Sequence, residues 1–264
     1  MTEPTGLWVY AVAERAPETG LPTGIGGLPV RSFAADGLVA VVSEVGMSEF
    51  GESALRANLE DLVWLEATAK AHHQVIDDLA STQPVVPMRL ATVFHSEASL
   101  RAMLAARRHE LHEVLDRIGQ RREWGVKVFA ATADRTPKTR ADAERGAVAA
   151  AGSGAAYLQR RRTELDASQR ARHEEARSAE EVHAALCQLA ADSRLHPPQV
   201  PQLAGTKAPM LLNAAYLLDE ASERRFSDAV LELAQQHRAI RLQMTGPWPP
   251  YSFASLDATL EAQP

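Results

Sequence analysis

The order of strand-like and helix-like segments in the second half of the sequence restricts the fold more than any other feature. After Trp124, short apolar or alternating runs typical of strands are separated by longer segments of helical composition. The strand-like runs are residues 126–131, 195–203, 210–218 and 240–245, and the helical segments are residues 155–192 and 222–237. The three prolines in 195–203 make that run at best an irregular edge strand. The resulting order, βαββαβ, is the split-βαβ or ferredoxin-like order.

The first half of the sequence begins with segments that predict a small sheet. Residues 7–13 are apolar on both faces, as expected for an interior strand. Residues 30–34 and 38–45 flank Asp36-Gly37, a dipeptide that tolerates the positive φ of a tight turn, so these two runs predict a β-hairpin.

Two amphipathic helices are predicted after the hairpin, over residues 52–80 and 96–118. Ser96 is a suitable N-cap for the second helix, and Gly119 is a suitable stop. The segment between the helices, residues 85–94, has an extended pattern, and Pro87 within it favours an edge position or an irregular start of a strand.

The length of 264 residues predicts two domains, since about 100–200 residues are usual for one. We expect an N-terminal mixed α+β domain over residues 1–122 and a C-terminal modified ferredoxin-like domain over residues 123–264. Residues from about 132 to 178 of the second domain should form a variable, mobile connection and a charged helix. Because residues 160–177 almost lack large apolar side chains, they should project into water, and the helix should restart at the capping-box pattern Ser178-x-x-Glu181.

Composition places the chain among soluble cytoplasmic proteins. Its single cysteine, Cys187, cannot form an internal disulfide, and its N-terminus lacks a signal-peptide pattern. No apolar run approaches the ~18 residues that a membrane span needs. A net charge of −6 disfavours a nucleic-acid partner, and each arginine cluster is flanked by acidic residues. The sequence therefore predicts no membrane and no nucleic-acid partner.

The sequence predicts no catalytic residue, no cofactor and no metal site. The nine histidines form no HExxH motif or similar cluster, and His72-His73 fit a core or exposed position better than a metal ligand. Cys187 lies on the apolar side of a helix and is predicted to be buried and inert. Serine and P-loop motifs are also absent from the sequence.

Two segments favour protein binding instead. Arg89 lies inside the apolar run 85–90, where it either pairs with an acid in the core or faces a partner. The segment 246–253 combines three prolines with three aromatic residues, and it supplies rigid, amphipathic surface. The candidate partner-binding residues are Arg89, Pro247, Trp248, Pro249, Pro250 and Tyr251. Tyr251 and Phe253 also fit a second interpretation, in which they close the core of the second domain.

These segments carry a family resemblance. Residues 87–94, Pro-Met-Arg-Leu-Ala-Thr-Val-Phe, resemble the Pro-Leu-Arg-Phe-Gly-Thr-Val-Phe motif of the gas vesicle proteins GvpL and GvpF. The terminal block 246–253, Gly-Pro-Trp-Pro-Pro-Tyr-Ser-Phe, is the most specific match. Residues 125–128, 152–162 and 213–219 resemble further blocks in the same order. Met88, Leu90 and Ala91 depart from the motif, and nothing separates the L branch from the F branch.

This resemblance implies a cytoplasmic accessory protein of gas vesicle formation that is not an enzyme. Its implied partners are the shell protein GvpA and other accessory Gvp proteins, and its implied role is in nucleation or assembly, or as a minor vesicle component. One alternative is a scaffold that joins accessory Gvp proteins through residues 160–177 without contacting GvpA. A ligand-binding or enzymatic ferredoxin-like protein is the other alternative.

Overall fold

The first sheet is built around strand β1 (Thr5–Ala13), in which eight of nine residues are buried. The other strands of this sheet are β2 (Arg31–Ala35), β3 (Leu38–Gly46), β4 (Val86–Pro87) and β5 (Val93–Phe94). Strand β1 pairs antiparallel with β3 on one side and with β4 and β5 on the other, and β2 extends the order to β2-β3-β1-β4. The interior position of β1 and the edge position of Pro87 are both confirmed.

The computed structural model describes residues 4–18, 20–131, 154–199 and 208–254, with the side chains of 154–156 left out. The predicted variable connection therefore lies almost entirely outside the described residues, as does the end of the predicted strand 195–203. The predicted hairpin is confirmed, because Ala35 pairs with Leu38 and both turn residues have positive φ, 54° at Asp36 and 80° at Gly37.

The helices of the first unit are shorter than the sequence predicts. They are α1 (Met47–Phe50), α2 (Glu52–Asn58), α3 (Leu62–Ala80), α4 (Glu97–Ala106) and α5 (Arg108–Ile118). The helix predicted over 52–80 is divided because the Asp61 carboxylate caps a new helix, accepting hydrogen bonds from the backbone N–H groups of Val63 and Trp64. The helix predicted over 96–118 is divided at Arg107, whose φ and ψ of −108° and 15° are not helical.

The predicted ends of that second helical region are confirmed. Ser96 caps α4 by accepting a hydrogen bond from the N–H of Ser99, whose hydroxyl in turn contacts the Ser96 backbone. Gly119 follows α5 with φ 54°, a conformation that glycine adopts without a steric penalty.

The first core is formed where α3 packs on the sheet. Trp8, Tyr10, Val75, Ile76 and Leu79 are fully buried there or nearly so. Each large apolar side chain removed from water contributes about 1.5–3 kcal/mol to stability. A chain of three hydrogen bonds lies in this core. The N–H of Ile25 donates to the Tyr10 hydroxyl, and the Tyr10 hydroxyl donates to that of Ser43. The Ser43 hydroxyl in turn donates to the carbonyl of Pro29.

The elements of the second part of the chain are β6 (Arg122–Ala130), α6 (Gly154–Cys187), β7 (Asp192–Leu195), β8 (Met210–Leu218), α7 (Glu220–Gln236) and β9 (Ile240–Trp248). Their four strands form a second sheet with the order β7-β8-β6-β9. Among the described residues the element order is βαββαβ, but the second strand ends where the predicted run 195–203 begins, so that only Leu195 is common to both. The core lies between the sheet and the two helices, with Val182, Leu186, Tyr216 and Phe226 buried.

Helix α6 is continuous, and the prediction that a helix restarts at Ser178 is wrong. Its 34 residues span about 51 Å at 1.5 Å per residue. Ser178 lies inside the helix and is buried together with Ala179 and Val182. These three residues belong to the stripe that faces the core, so the hydroxyl is not at a helix start. Residues 157–170 are exposed throughout, as predicted for the charged part, but Glu175, which also lies in the predicted stretch 160–177, is buried.

The chain forms two compact units, but their limits differ from the predicted 1–122 and 123–264. Unit 1 contains residues Met1–Glu123 and Pro247–Pro264, and unit 2 contains Trp124–Gly246. The segment 247–254 belongs to unit 1 because two of its residues form hydrogen bonds with residues of that unit. Ser252 binds Glu123, and the carbonyl of Phe253 accepts from Arg117.

Within the part of the chain that the structure describes, no helix is both long enough and apolar enough to span a bilayer.

Candidate protein-binding surface

The segment that contains Arg89 forms a tight turn between β4 and β5. The backbone N–H and the hydroxyl of Thr92 both donate to the carbonyl of Arg89, at 3.2 and 2.7 Å. The N–H of Met88 and the carbonyl of Thr92 bond to β1 on the two sides of the turn. The Arg89 side chain is exposed, and no described residue forms an ion pair with it. Of the two alternatives for Arg89, the structure favours the outward-facing one.

Ala91 occupies a strained position in this turn. Its φ is 68°, in the left-handed region, where a Cβ atom costs about 1–2 kcal/mol. Ala91 stands where the GvpL and GvpF motif has glycine, the residue that adopts this φ freely.

The turn is attached to the core through the buried side chain of His72. Its Nδ1 accepts from the indole N–H of Trp8 at 3.0 Å, so its Nε2 carries the proton and donates to the carbonyl of Met88 at 3.1 Å. The ring also stacks on Tyr10. Burial lowers the pKa of His72 to about 4, which keeps the ring neutral at physiological pH. His72 is therefore a satisfied core histidine that fixes the backbone next to Arg89.

The next residue of α3, His73, contacts both exposed aromatic residues of the C-terminal segment. Its ring lies 5.4 Å from that of Trp248 in an edge-on arrangement and 6.1 Å from that of Tyr251. Its Nδ1 shares a 3.1 Å hydrogen bond with the Tyr251 hydroxyl. Burial, followed by the nearby charges of Asp77 and Glu123, raises the pKa of Tyr251, so the phenol stays neutral. His73, Trp248 and Tyr251 are called the aromatic surface below.

The residues that follow Trp248 are anchored firmly in unit 1. The Glu123 carboxylate accepts two 2.7 Å hydrogen bonds from Ser252, one from its N–H and one from its hydroxyl. Arg117 donates to the Phe253 carbonyl at 2.8 Å, and the Phe253 ring is fully buried. Phe253 thus closes a core, as one interpretation predicted, but the core is that of the first unit.

The six candidate residues do not form one exposed set. Arg89 and Pro247 are exposed, and Trp248 and Tyr251 keep 42% and 37% of their surface accessible. Pro249 and Pro250 are buried, so they fix the backbone instead of offering contact area.

Sequence reasoning missed the role of His72-His73. The two motif segments lie about 160 residues apart, yet they attach to these adjacent residues of one helix. The one signal in the sequence was the placement of the pair on an amphipathic helix, with one ring turned inward and the next outward. Glu123 was missed as well, because its partner Ser252 is 129 residues away.

Cys187 has more polar surroundings than predicted. Its sulfur lies 3.6 Å from Nε2 of His183 and 3.3 Å from the hydroxyl of Ser193, and it is only partly buried. His183 in turn contacts the Tyr216 hydroxyl at 2.8 Å. Across the described residues, no group of three or more His, Cys, Asp or Glu side chains is placed to hold a metal ion.

Comparison with known proteins gives one consistent result. The family profile described as gas vesicle synthesis protein GvpL/GvpF matches residues 6–255. Gas vesicle protein L of Streptomyces sp. (strain CB03234) is 37% identical over 94% of this chain and 92% of that protein. Gas vesicle protein F of the same strain is 28% identical over 93% of this chain and 98% of that protein.

The solved structures support the same fold. The crystal structure of GvpF from Anabaena sp. PCC7120 superposes with a TM-score of 0.68 at 20% identity, covering 96% of this chain and all of that one. The chain is thus a two-sheet α+β protein of the gas vesicle class. It belongs to the GvpL/GvpF family of gas vesicle synthesis proteins, and its role lies in gas vesicle formation.

Proposed function

We propose that the protein assists gas vesicle assembly by binding other vesicle proteins, namely the shell protein GvpA and accessory Gvp proteins, and not by catalysis. Family membership over residues 6–255 supports this role. The observation that carries the proposal is the aromatic surface, in which Trp248 and Tyr251 stay exposed while the backbone that bears them is fixed. The site of action is the cytoplasm, at growing or finished vesicles.

The aromatic surface is suited to binding because its backbone is already fixed before a partner arrives. Trp and Tyr are the residues that most often anchor protein interfaces. Buried Pro249 and Pro250 and the Ser252–Glu123 bonds already hold the segment in place. A partner that docks there loses little conformational entropy of this chain. Arg89, exposed on a turn whose backbone is fixed by His72, is the cationic member of the proposed site.

The direct test is co-purification of the tagged protein with GvpA and with accessory Gvp proteins. We expect wild-type protein to retain GvpA, and we expect Trp248→Ala to lose at least about tenfold in retained GvpA, as for a central aromatic anchor. Leu231→Ala is the matched control, because Leu231 is another exposed apolar residue, on α7. Equal retention by wild type and Trp248→Ala would exclude the aromatic surface as the site, and absence of GvpA from the wild-type sample would contradict the proposed partner.

A scaffold that joins accessory proteins through α6 is the second candidate. The observation that favours it is the exposed stretch 157–170, which includes Tyr157 and Leu158 and the arginines Arg160–Arg162. Replacing the three arginines with glutamate should then abolish retention of accessory Gvp proteins and leave GvpA retention unchanged. Loss of GvpA alone in this variant would contradict the scaffold role.

We also infer that unit 2 is a ferredoxin-like domain. Its element order βαββαβ and its strand order β7-β8-β6-β9 support this assignment, since the two middle strands are the first and third of the domain along the chain. In this family setting we infer that the domain serves as a binding module.

A further inference from the structure

The start of helix α3 exposes two neighbouring apolar side chains. Leu62 and Val63 each keep 78% of their surface accessible, the highest fraction among the large apolar residues of the described chain. Leu59, in the preceding turn, is half-buried beside them in sequence. Single exposed apolar residues are common, whereas neighbouring exposed apolar residues are a feature of protein interaction sites. Leu59, Leu62 and Val63 are called the apolar corner below.

The apolar corner is rigid. The Asp61 carboxylate accepts from the N–H groups of Val63 and Trp64 at 2.9 and 3.3 Å, which fixes the first turn of α3. The Trp64 ring packs on Phe50 at 6.0 Å, and its indole N–H donates to Glu49 at 3.4 Å. The turn therefore cannot rotate to bury Leu62 and Val63 without breaking its own cap and the Trp64 contacts.

The stretch of sequence that contains the apolar corner is strongly acidic. From residue 44 to residue 66 the chain carries six acidic residues and one basic residue, a net charge of −5, whereas the whole chain carries −6. The acidic residues are Glu44, Glu49, Glu52, Glu60, Asp61 and Glu66, and all six are exposed. The one basic residue, Arg56, is already paired with Glu52 at 3.2 Å. A net charge of −5 thus lies in the stretch of sequence that contains the apolar corner, where Glu60 and Asp61 directly precede Leu62 and Glu49 contacts the neighbouring Trp64.

We propose that the apolar corner binds a basic amphipathic helix of another protein. The apolar side of such a helix covers Leu62 and Val63, and its lysine or arginine side chains lie over the flanking carboxylates, where charge complementarity sets the orientation and speeds the encounter. The acidic rim repels an anionic lipid surface or a nucleic acid, which leaves a cationic protein segment as the occupant.

The inference deepens the proposed protein-binding role by assigning a second surface, separate in sequence from the aromatic surface. The two proposals fail separately. The aromatic surface is tested by retention of GvpA in Trp248→Ala, whereas the apolar corner is tested with a synthetic peptide that requires no gas vesicle protein.

The probe is a fluorescein-labelled helical peptide made only of leucine and lysine, with leucine on one face, titrated with the full-length protein and followed by fluorescence anisotropy. We expect the double variant Leu62→Ser/Val63→Ser to weaken binding at least about tenfold, and the control Leu231→Ser to leave binding unchanged. Added salt should weaken wild-type binding, because the acidic rim acts through screened charges.

Charge reversal gives a second, independent variant. Glu60→Lys/Glu66→Lys keeps the apolar residues and should also weaken binding of the lysine peptide, while a peptide with glutamate in place of lysine should bind the wild-type protein poorly. Equal binding by wild type and Leu62→Ser/Val63→Ser would overturn the proposal, as would equal binding of the two peptides. A wild-type dimer that the serine variant converts to a monomer would also overturn it, by making a second copy the occupant.

Discussion

Single residues in the first unit show how a motif position acts through backbone geometry. Ala91 is the clearest case, because its φ of 68° is held by the bonds of Thr92 to Arg89 and by the pairing of β4 and β5 with β1. The neighbouring strands impose this backbone conformation, and the Cβ atom of Ala91 makes it less favourable in free energy than it would be for glycine. The exposed arginine of the turn depends on the same geometry.

Ala91→Gly should stabilise the first unit by about 1 kcal/mol. The substitution removes the penalty of a Cβ atom at positive φ, and part of this gain is lost because glycine has more conformational freedom in the unfolded chain. The measurement is the urea midpoint of the unit 1 transition. Ala34→Gly, in strand β2 without positive φ, is the matched control and should destabilise. A lower midpoint for Ala91→Gly would show that the turn is relaxed in solution.

The buried ring of His72 should make unit 1 sensitive to acid. Its pKa is about 4 in the folded state and about 6.5 when unfolded, so above pH 6.5 both states bind no proton and the full stability is present. As pH falls from 6.5 towards 4 the unfolded chain gains a proton that the folded chain does not, and about 3 kcal/mol should be lost. His72→Gln should lower stability at neutral pH and remove this part of the pH dependence. A wild-type profile that is flat between pH 7 and 4.5 would contradict the prediction.

At the scale of elements, the division between α2 and α3 determines what surface the protein presents. A single helix over 52–80 would continue the inward stripe, whereas the break at Asp61 starts a new first turn in which Leu62 and Val63 are exposed. The buried stripe of α3 then begins at Thr68, one to two turns after the exposed pair.

Asp61→Ala should cost about 1 kcal/mol of unit 1 stability, because two N–H groups of α3 lose their acceptor. Asp61→Asn keeps a capping side chain and should remain within a few tenths of a kcal/mol of wild type. Denaturant unfolding at neutral pH measures both variants. Equal losses for alanine and asparagine would assign the effect to the charge and not to the cap.

Element types were largely predictable from the sequence, and element limits were not. The period of apolar residues identified β1, the hairpin, β8 and α7 within a few residues. The breaks at Asp61 and Arg107 were not predicted because the apolar period continues through both positions. The first helix is divided by the hydrogen bonds of the Asp61 carboxylate, and the second by the backbone conformation of Arg107. The opposite error, a restart at Ser178, arose because a capping pattern also occurs inside a helix, here at a position that the buried face from Glu175 to Leu186 passes through.

On the scale of the whole molecule, the first unit is made from two distant parts of the chain. The candidate residues were identified from chemistry and family pattern, but their arrangement depends on contacts such as Ser252–Glu123, which no local pattern encodes. This is also why the C-terminal segment was expected in the second domain, next to the strand that it directly follows.

Phe253→Ala should destabilise unit 1 and spare unit 2. Loss of a fully buried phenylalanine costs about 3–5 kcal/mol. Hydrogen exchange read by mass spectrometry should show faster exchange in β1 and α3 and unchanged exchange in β8 and α7. The opposite distribution would place the ring in the core of the second unit.

The discontinuous first unit also sets an order of events during synthesis. A ribosome translates residues 1–123 early, but the Ser252 groups that bond to Glu123 follow 129 residues later, together with the Phe253 ring that is buried in the same unit. Unit 2, which is continuous in sequence, can complete its core first. A nascent chain that has not yet reached Phe253 therefore has a first unit whose core and Glu123 hydrogen bonds are incomplete.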